Sequence, residues 1–301
     1  MWSPLNRFLK ERVRIDCKRE LLQALWRCIP RHTTIRMHNA TFRIPIRRDF
    51  DSRIIRRNKS LWMDEIIKGC YAVSQGTFID IGANVGQTLL KVKSLFADVV
   101  YVGFEPNIHC AGYISTLISS NNFQDCSIFP IGLGCEEKIT TLFYENHADP
   151  KATVIDNFRG NEHTLRRQTV IIRDADTFMA ALRIPDIAII KIDVEGYEAA
   201  VLSGIRDILQ CQRPFVLCEV LRTHSPAHPS HAFRVHSRTV CETLLRQLDY
   251  AIWGVNRAQT IEACGHISDT YTNYVFVPQE KAVRFATAYH TIVKASHMYP
   301  G

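Results

Sequence analysis

Three features of this sequence predict an α/β fold built around a mostly parallel sheet. Its strongest apolar runs, TFIDI (77–81), VVYVGFEP (99–106) and IAIIKIDV (187–194), are nearly unbroken rather than alternating, as expected of strands buried on both faces. Stretches with helical spacing separate these runs. The first run breaks directly into glycines, TFIDIGANVGQTLL (77–90), forming the kind of strand-to-helix turn at which open sheets hold ligands.

The elements follow in order. Residues 3–29 place Leu5, Phe8, Leu9, Val13, Leu21, Leu25 and Trp26 at helical spacing among basic residues, which fits two short amphipathic helices. Pro30 ends them, and TTIRMHNATFRIPI (33–46) alternates as a hairpin does. From Leu61 strands alternate with helices: strand 77–81, helix 85–96, strand 99–106, helix 108–121, then strand and turn over CSIFPIGLG (126–134). Cys135 to Pro185 is a less regular insertion, with antiparallel strands expected at ITTLFYE and QTVIIRD. The alternation resumes with strand 187–194, helix 198–210, strand FVLCEV (215–220), helix 238–248 and a terminal strand NYVFVP (273–278). The expected division is a basic helical and hairpin extension over 1–60, a main domain over 61–280, and a C-terminal helix or tail over 281–301.

With 46% hydrophobic and 22% charged residues, the composition excludes a disordered or fibrous chain. The formal charge of +7 is concentrated in the first sixty residues, where a solvated helix face is the plain reading and phosphates, anionic lipid or an acidic glycan are the alternatives. The ten cysteines contain no CxxC pair, which points to free thiols in a reducing compartment. No apolar run reaches the roughly 18 residues of a membrane span, and the N-terminus lacks a signal-peptide core. The expectation is a cytoplasmic chain, with peripheral membrane contact through the basic N-terminal helices, and oligomerisation, left open.

The glycine turn narrows the ligand. A phosphate loop needs a lysine, and GANVGQT has none; a dinucleotide fingerprint needs a middle glycine, and Asn84 stands there. Gly82 and Gly86 still allow close backbone contact, and Asp80 beside them suits a cationic amino group. Glu105, ending the second strand, can accept hydrogen bonds from both hydroxyls of a ribose. A nucleoside bearing an amino acid meets both conditions, which describes S-adenosylmethionine.

FIDIGANVGQT, VGFEPN, FPIGLG and IIKIDVEGYEAAVLSG, in this order and spacing, resemble the FkbM family of S-adenosylmethionine-dependent methyltransferases over about residues 60–255. Known members mainly methylate hydroxyls of sugars and polyketides. The resemblance implies a seven-stranded, Rossmann-like class I methyltransferase sheet, mostly parallel with its final strand antiparallel. It also implies that Asp80, Gly82, Asn84 and Gly86 line the methionine part of the cofactor while Glu105 holds the ribose. The basic N-terminal segment and the His-rich stretch 222–238 inherit nothing from it.

The second acidic motif, IIKIDVEGYE, runs an apolar strand into Asp193, Glu195 and Glu198. Clustered carboxylates at a strand end need water, cations or a ligand. Asp193 and Glu195 can both face the cleft, whereas Glu198 in the first helical turn suits capping equally well. Methyl transfer to an alcohol requires alignment and a base, for which Asp193, Glu195, Glu219 and His224 are the candidates. A divalent ion held by these carboxylates is the less favoured version. The histidines of THSPAHPSHAFRVH (223–236) show no fixed ligand spacing and their prolines argue against one helix, so the segment reads as part of an acceptor pocket. Arg159, Arg166 and Arg167, interleaved with Tyr144 and Phe158, fit a glycan or phosphate contact or a plain solvated hairpin, and no specific nucleic-acid motif accompanies them. The expected activity is O-methylation of a sugar or glycoconjugate. Lipid-linked or polyketide-like acceptors, and a catalytically inactive binding partner, are its rivals.

Overall fold

Local patterning and packing agree along most of the chain in the computed structural model, which describes residues 32–47, 61–160, 162–223 and 225–298. The expected N-terminal helices over 3–29 lie outside the described residues, as does His224. Strands β1 (His32–Met37) and β2 (Ala40–Pro45) form the expected hairpin. Phe42 and Ile44 are buried in the same apolar cluster as Phe78 and Leu89, and the Tyr113 hydroxyl donates to the Pro45 carbonyl at 3.0 Å. The hairpin therefore packs on the main domain.

Helix α1 (Leu61–Tyr71) leads into β3 (Thr77–Ile81), α2 (Gln87–Leu95), β4 (Tyr101–Phe104), α3 (Ile108–Ser120) and β5 (Cys126–Phe129). The insertion supplies β6 (Gly132–Gly134), β7 (Lys138–Tyr144), β8 (Arg166–Asp174) and α4 (Ala175–Ala181). Then follow β9 (Ile187–Ile192), α5 (Glu198–Gly204), α6 (Arg206–Cys211), β10 (Phe215–Glu219), α7 (His231–Gln247), β11 (Tyr250–Val255), β12 (Ile261–Ala263), β13 (Asn273–Pro278) and α8 (Ala282–Met298).

Eight of the described strands form one sheet in the order β12-β11-β13-β10-β9-β3-β4-β5. Strands β5, β4, β3, β9 and β10 run parallel, and β13 drops between β10 and β11 antiparallel to both. This is the expected seven-stranded sheet with its last strand reversed, extended at one edge by the short β12. The hairpin β7–β8 is the expected antiparallel insertion, with β6 joined to β8 in parallel.

Side chains alternate across a strand, so β3 sends Phe78 to one face and Ile79 to the other, and each joins a separate buried cluster. Helix α8 buries Phe285 and Tyr289 in the first of these clusters, so the C-terminal segment is a core helix rather than a tail. Two helices differ from expectation. Residues 198–210 form α5 and α6, separated at Ile205. Helix α7 starts at His231, with Ser230 as its N-cap, because Pro226 and Pro229 both fall before its first turn, where proline costs a helix no hydrogen bond. Among the described residues, no helix is long and apolar enough to cross a membrane.

The chain runs outward through β3, β4 and β5 and returns to β9 on the other side of β3. Strand order reverses there, and the divergent connections leave a crevice beyond the carboxyl ends of β3 and β9. The glycine turn and the KIDVEG segment both end in that crevice.

Candidate active site

A cleft partly open to solvent lies at the switch point, with Gly82, Asn84, Glu105, Asp149, Asp193 and Glu195 on its walls. The glycine turn is shaped by contact with β9: Gly82 has φ +86°, and a Cβ there would lie 1.9 Å from the Asp193 carbonyl oxygen. Asn84 also takes a left-handed conformation, φ 46°, which asparagine tolerates better than most side chains. Gly86, φ +83°, caps α2, and a Cβ there would press on Leu117 of α3 at 3.0 Å. Gly82 and Asn84 thus line the cleft, whereas Gly86 does not: close helix packing accounts for it.

Glu105 is 7% exposed, and both its oxygens are fixed by backbone donors, Oε2 by the N–H of Asn84 and Oε1 by the N–H of Asn107, each at 2.8 Å. Burial pushes its pKa up to about 7 against these two hydrogen bonds. The carboxylate expected to hold a ribose is therefore rigid and faces the cleft.

Asp80 stands elsewhere than expected. Its carboxylate is completely buried, accepts from the Tyr101 hydroxyl at 2.6 Å and from Lys191 Nζ at 3.3 Å, and does not line the cleft. Asp80 and Lys191 are in-register neighbours on β3 and β9, so the lysine meets the negative charge that a ligand's amino group was expected to meet. Burial alone would lower the Lys191 pKa, but Asp193 and Asp80 outweigh it and keep the ammonium charged.

Asp193 follows β9 directly, with Oδ2 at 3.3 Å from Lys191 Nζ. Glu195 has φ 49°, and its carbonyl accepts from Thr153 Oγ1 at 2.8 Å, so a loop of the insertion secures the strained turn. Burial, then the charges of Asp193, Glu219 and Glu198, push the Glu195 carboxyl up to about 8. Glu198 is 2% exposed and accepts the Gly196 N–H at 2.9 Å, which makes it the cap of its own turn. Glu219 ends β10 and lines a second cavity that shares Gly82, Asn84 and Asp193 with the cleft. Burial and Asp193 push its pKa up to about 7. The ends of β9 and β10 therefore bring three of the four expected base candidates to one place.

The His-rich segment is only partly a loop. His231 and His236 belong to α7, and His236 borders a groove between α5 and α7 with Phe233, apart from the cleft. No group of three His, Cys, Asp or Glu side chains is placed to hold a metal ion among the described residues. Arg159 binds Asp149 at 2.9 Å and Glu145 at 3.6 Å, so its charge is used inside the insertion. Arg167 lies over the Phe143 ring, and Arg166 approaches His147 at 3.4 Å.

Sequence reasoning assigned no role to Lys191, Tyr101 or Asp149. Lys191 left a signal, since a lone cation in an otherwise apolar strand must find a partner. Asp149 left none: it secures the loop over the cleft through the N–H groups of Glu145 and Lys151, and its carbonyl meets Asn84 Nδ2 at 3.4 Å, from 65 residues away.

An open sheet with a reversed last strand, a switch-point cleft and a buried carboxylate at the second strand's end define the class I methyltransferase architecture. Residues 80–247, more than half of the chain, match the Methyltransferase FkbM domain. The chain belongs to that family. A methyltransferase FkbM from Methylobacillus flagellatus KT is similar at 15% identity and TM-score 0.41, over 67% of this chain and 43% of that one. The bifunctional kinase-methyltransferase WbdD is similar at 11% identity and TM-score 0.43, over 74% of this chain and 39% of that one. A putative caffeoyl-CoA O-methyltransferase from Staphylococcus aureus is similar at 12% identity and TM-score 0.42, over 78% and 86%. The chain thus matches less than half the length of the first two. No curated protein matches it.

Proposed function

We propose that this chain transfers the methyl group of S-adenosylmethionine to a hydroxyl, with a sugar or glycoconjugate as the acceptor. The observation that carries the cofactor is Glu105, a buried carboxylate with each oxygen oriented by one backbone N–H at 2.8 Å. Each oxygen keeps lone-pair capacity for a vicinal diol such as ribose. Asp193 and Glu195 on the same walls make the cleft unsuited to a polyphosphate. Gly82 and Asn84 would pass under the amino-acid end.

When bound, this cofactor supplies a methyl group on an activated sulfonium and is released as S-adenosylhomocysteine. The protein must align an acceptor oxygen and take its proton as that oxygen gains the methyl group. Glu195 and Glu219, with pKa values near 8 and 7, are poised near neutral pH, where a general base works best. Burial is the first cause of both raised values; the charge of Asp193 adds to each, and that of Glu219 adds to Glu195.

Calorimetry with S-adenosylhomocysteine tests the cofactor. Glu105→Gln is expected to weaken binding roughly tenfold or more, because an amide nitrogen would face one of the two N–H donors now satisfied. Unchanged affinity in that variant would sink the reading. A labelled-methyl screen across glycans, lipid-linked alcohols and small polyols tests the acceptor. Transfer only to lipid-linked alcohols, together with vesicle flotation that depends on residues 1–30, would favour the membrane-associated alternative. Cofactor binding without transfer to any acceptor would favour a binding subunit.

A further inference from the structure

The second cavity has a chemistry of its own. It lies against the glycine turn and is lined by Trp62, Gln87, Lys191, Asp193, Glu219 and Asn273. Gln87 and Asp193 also belong to the walls of the first cleft, so a group bound in either space can reach the same carboxylate. Trp62 comes from α1, outside the strand-end motifs, and packs its inner part on the apolar core. We propose that this cavity is the acceptor site and that it takes an uncharged, polyhydroxylated ring stacked on Trp62. The inference rests on the hydroxyl-methyltransferase reading above and adds to it the location of the acceptor and the residue that selects it.

The lining fits that ligand class better than its competitors. An aromatic plane offers the apolar face that a ring's C–H groups need, while amides and carboxylates meet the hydroxyls around its edge. Gln87 and Asn273 carry both donors and acceptors, and Asp193 and Glu219 accept from hydroxyls. Among the described residues that line the cavity, the one cation, the Lys191 ammonium, is already engaged by Asp80 and Asp193 at 3.3 Å each, which disfavours an anionic acceptor. An ammonium acceptor would have to approach that same buried lysine. A neutral ring avoids both conflicts, and places a hydroxyl beside Glu219, one of the two bases proposed above.

The test uses the full chain and saturation-transfer NMR, with methyl glycosides of glucose, galactose and mannose as neutral probes and ethanolamine and glucose 1-phosphate as charged ones. Each probe is measured with and without saturating S-adenosylhomocysteine. At least one neutral glycoside is expected to receive saturation, and the charged probes are not. Trp62→Leu, which keeps an apolar helix former on α1 but removes the ring, should weaken that glycoside roughly tenfold while changing S-adenosylhomocysteine affinity less than about threefold. Trp62→Phe should retain part of the binding and serves in its place if the leucine variant melts early. Silence from all neutral glycosides, preference for a charged probe, or indifference to both Trp62 variants each overturns the proposal. Failure of S-adenosylhomocysteine to bind the parent chain is a separate result that strikes the cofactor reading, because glycoside binding is also measured without it.

Discussion

Lys191 occupies a strand otherwise composed of isoleucine and alanine, and the residue is nearly inaccessible, at 7% exposure. A buried charge is tolerated only when paired, and here one cation serves two carboxylates, the fully enclosed Asp80 and the cleft-facing Asp193. Lys191→Met should therefore cost roughly 3–5 kcal/mol of unfolding free energy in a denaturant titration, because Asp80 would be left uncompensated. Adding Asp80→Asn should recover much of that loss, and a double variant no more stable than the single one would show that the pairing is not the cause. At this scale the sequence was half legible. KID could be read as a charge in an apolar strand, but Asp80 and Lys191 lie 111 residues apart and only the register of β3 on β9 joins them. Assigning Asp80 to a ligand's amino group did not foresee that Tyr101 and Lys191 already hold it.

The parallel strands β3, β4 and β9 were legible because burial on both faces leaves a continuous apolar run, and the turn after β3 because close approach to Asp193 demands glycine at position 82. The start of α7 was less so, since histidine and proline spacing conceals a helix whose apolar side packs under the sheet. Functionally, the elements that matter most are the ends of β9 and β10, which hold Asp193, Glu195 and Glu219 within mutual electrostatic reach. If one of the raised pair takes the acceptor's proton, the pH profile of kcat/KM should rise through about 7 to 8, with apparent constants belonging to the cluster. Glu195→Gln should lower kcat roughly 10²- to 10⁴-fold if that residue is the base. If it is not, the variant should keep most of its kcat, and its rising limb should lie near 7, the value of Glu219. A profile flat from pH 6 to 9 would rule out both.

Across the whole molecule the same carboxyls set how stability depends on pH. Glu105, Glu198 and Glu219 stand at about 7 and Glu195 at about 8, against an ordinary glutamate value of 4.5. Between 4.5 and 8 the folded chain therefore holds protons that the unfolded chain releases, so the native state binds more protons and loses stability as pH rises. The contribution of these groups is largest on the acid side of that window and is spent by its alkaline end. Because Glu195, Glu198 and Glu219 interact their effects do not add, and a total of a few kcal/mol is a fair scale. For a chain of this size, each kcal/mol moves Tm by about 2–4 °C, so melting between pH 6 and pH 9 should fall by several degrees. Glu195→Gln removes one of the four charges and should flatten the fall, leaving the variant more stable than the parent at pH 9 even where it is less active. Saturating S-adenosylhomocysteine should raise Tm at both pH values, through its preference for the native state. A parent chain whose Tm rises from pH 6 to 9, or a Glu195→Gln variant that keeps the full pH dependence, would show that these carboxyls are ionised at neutral pH and that the site is wetter than its walls imply.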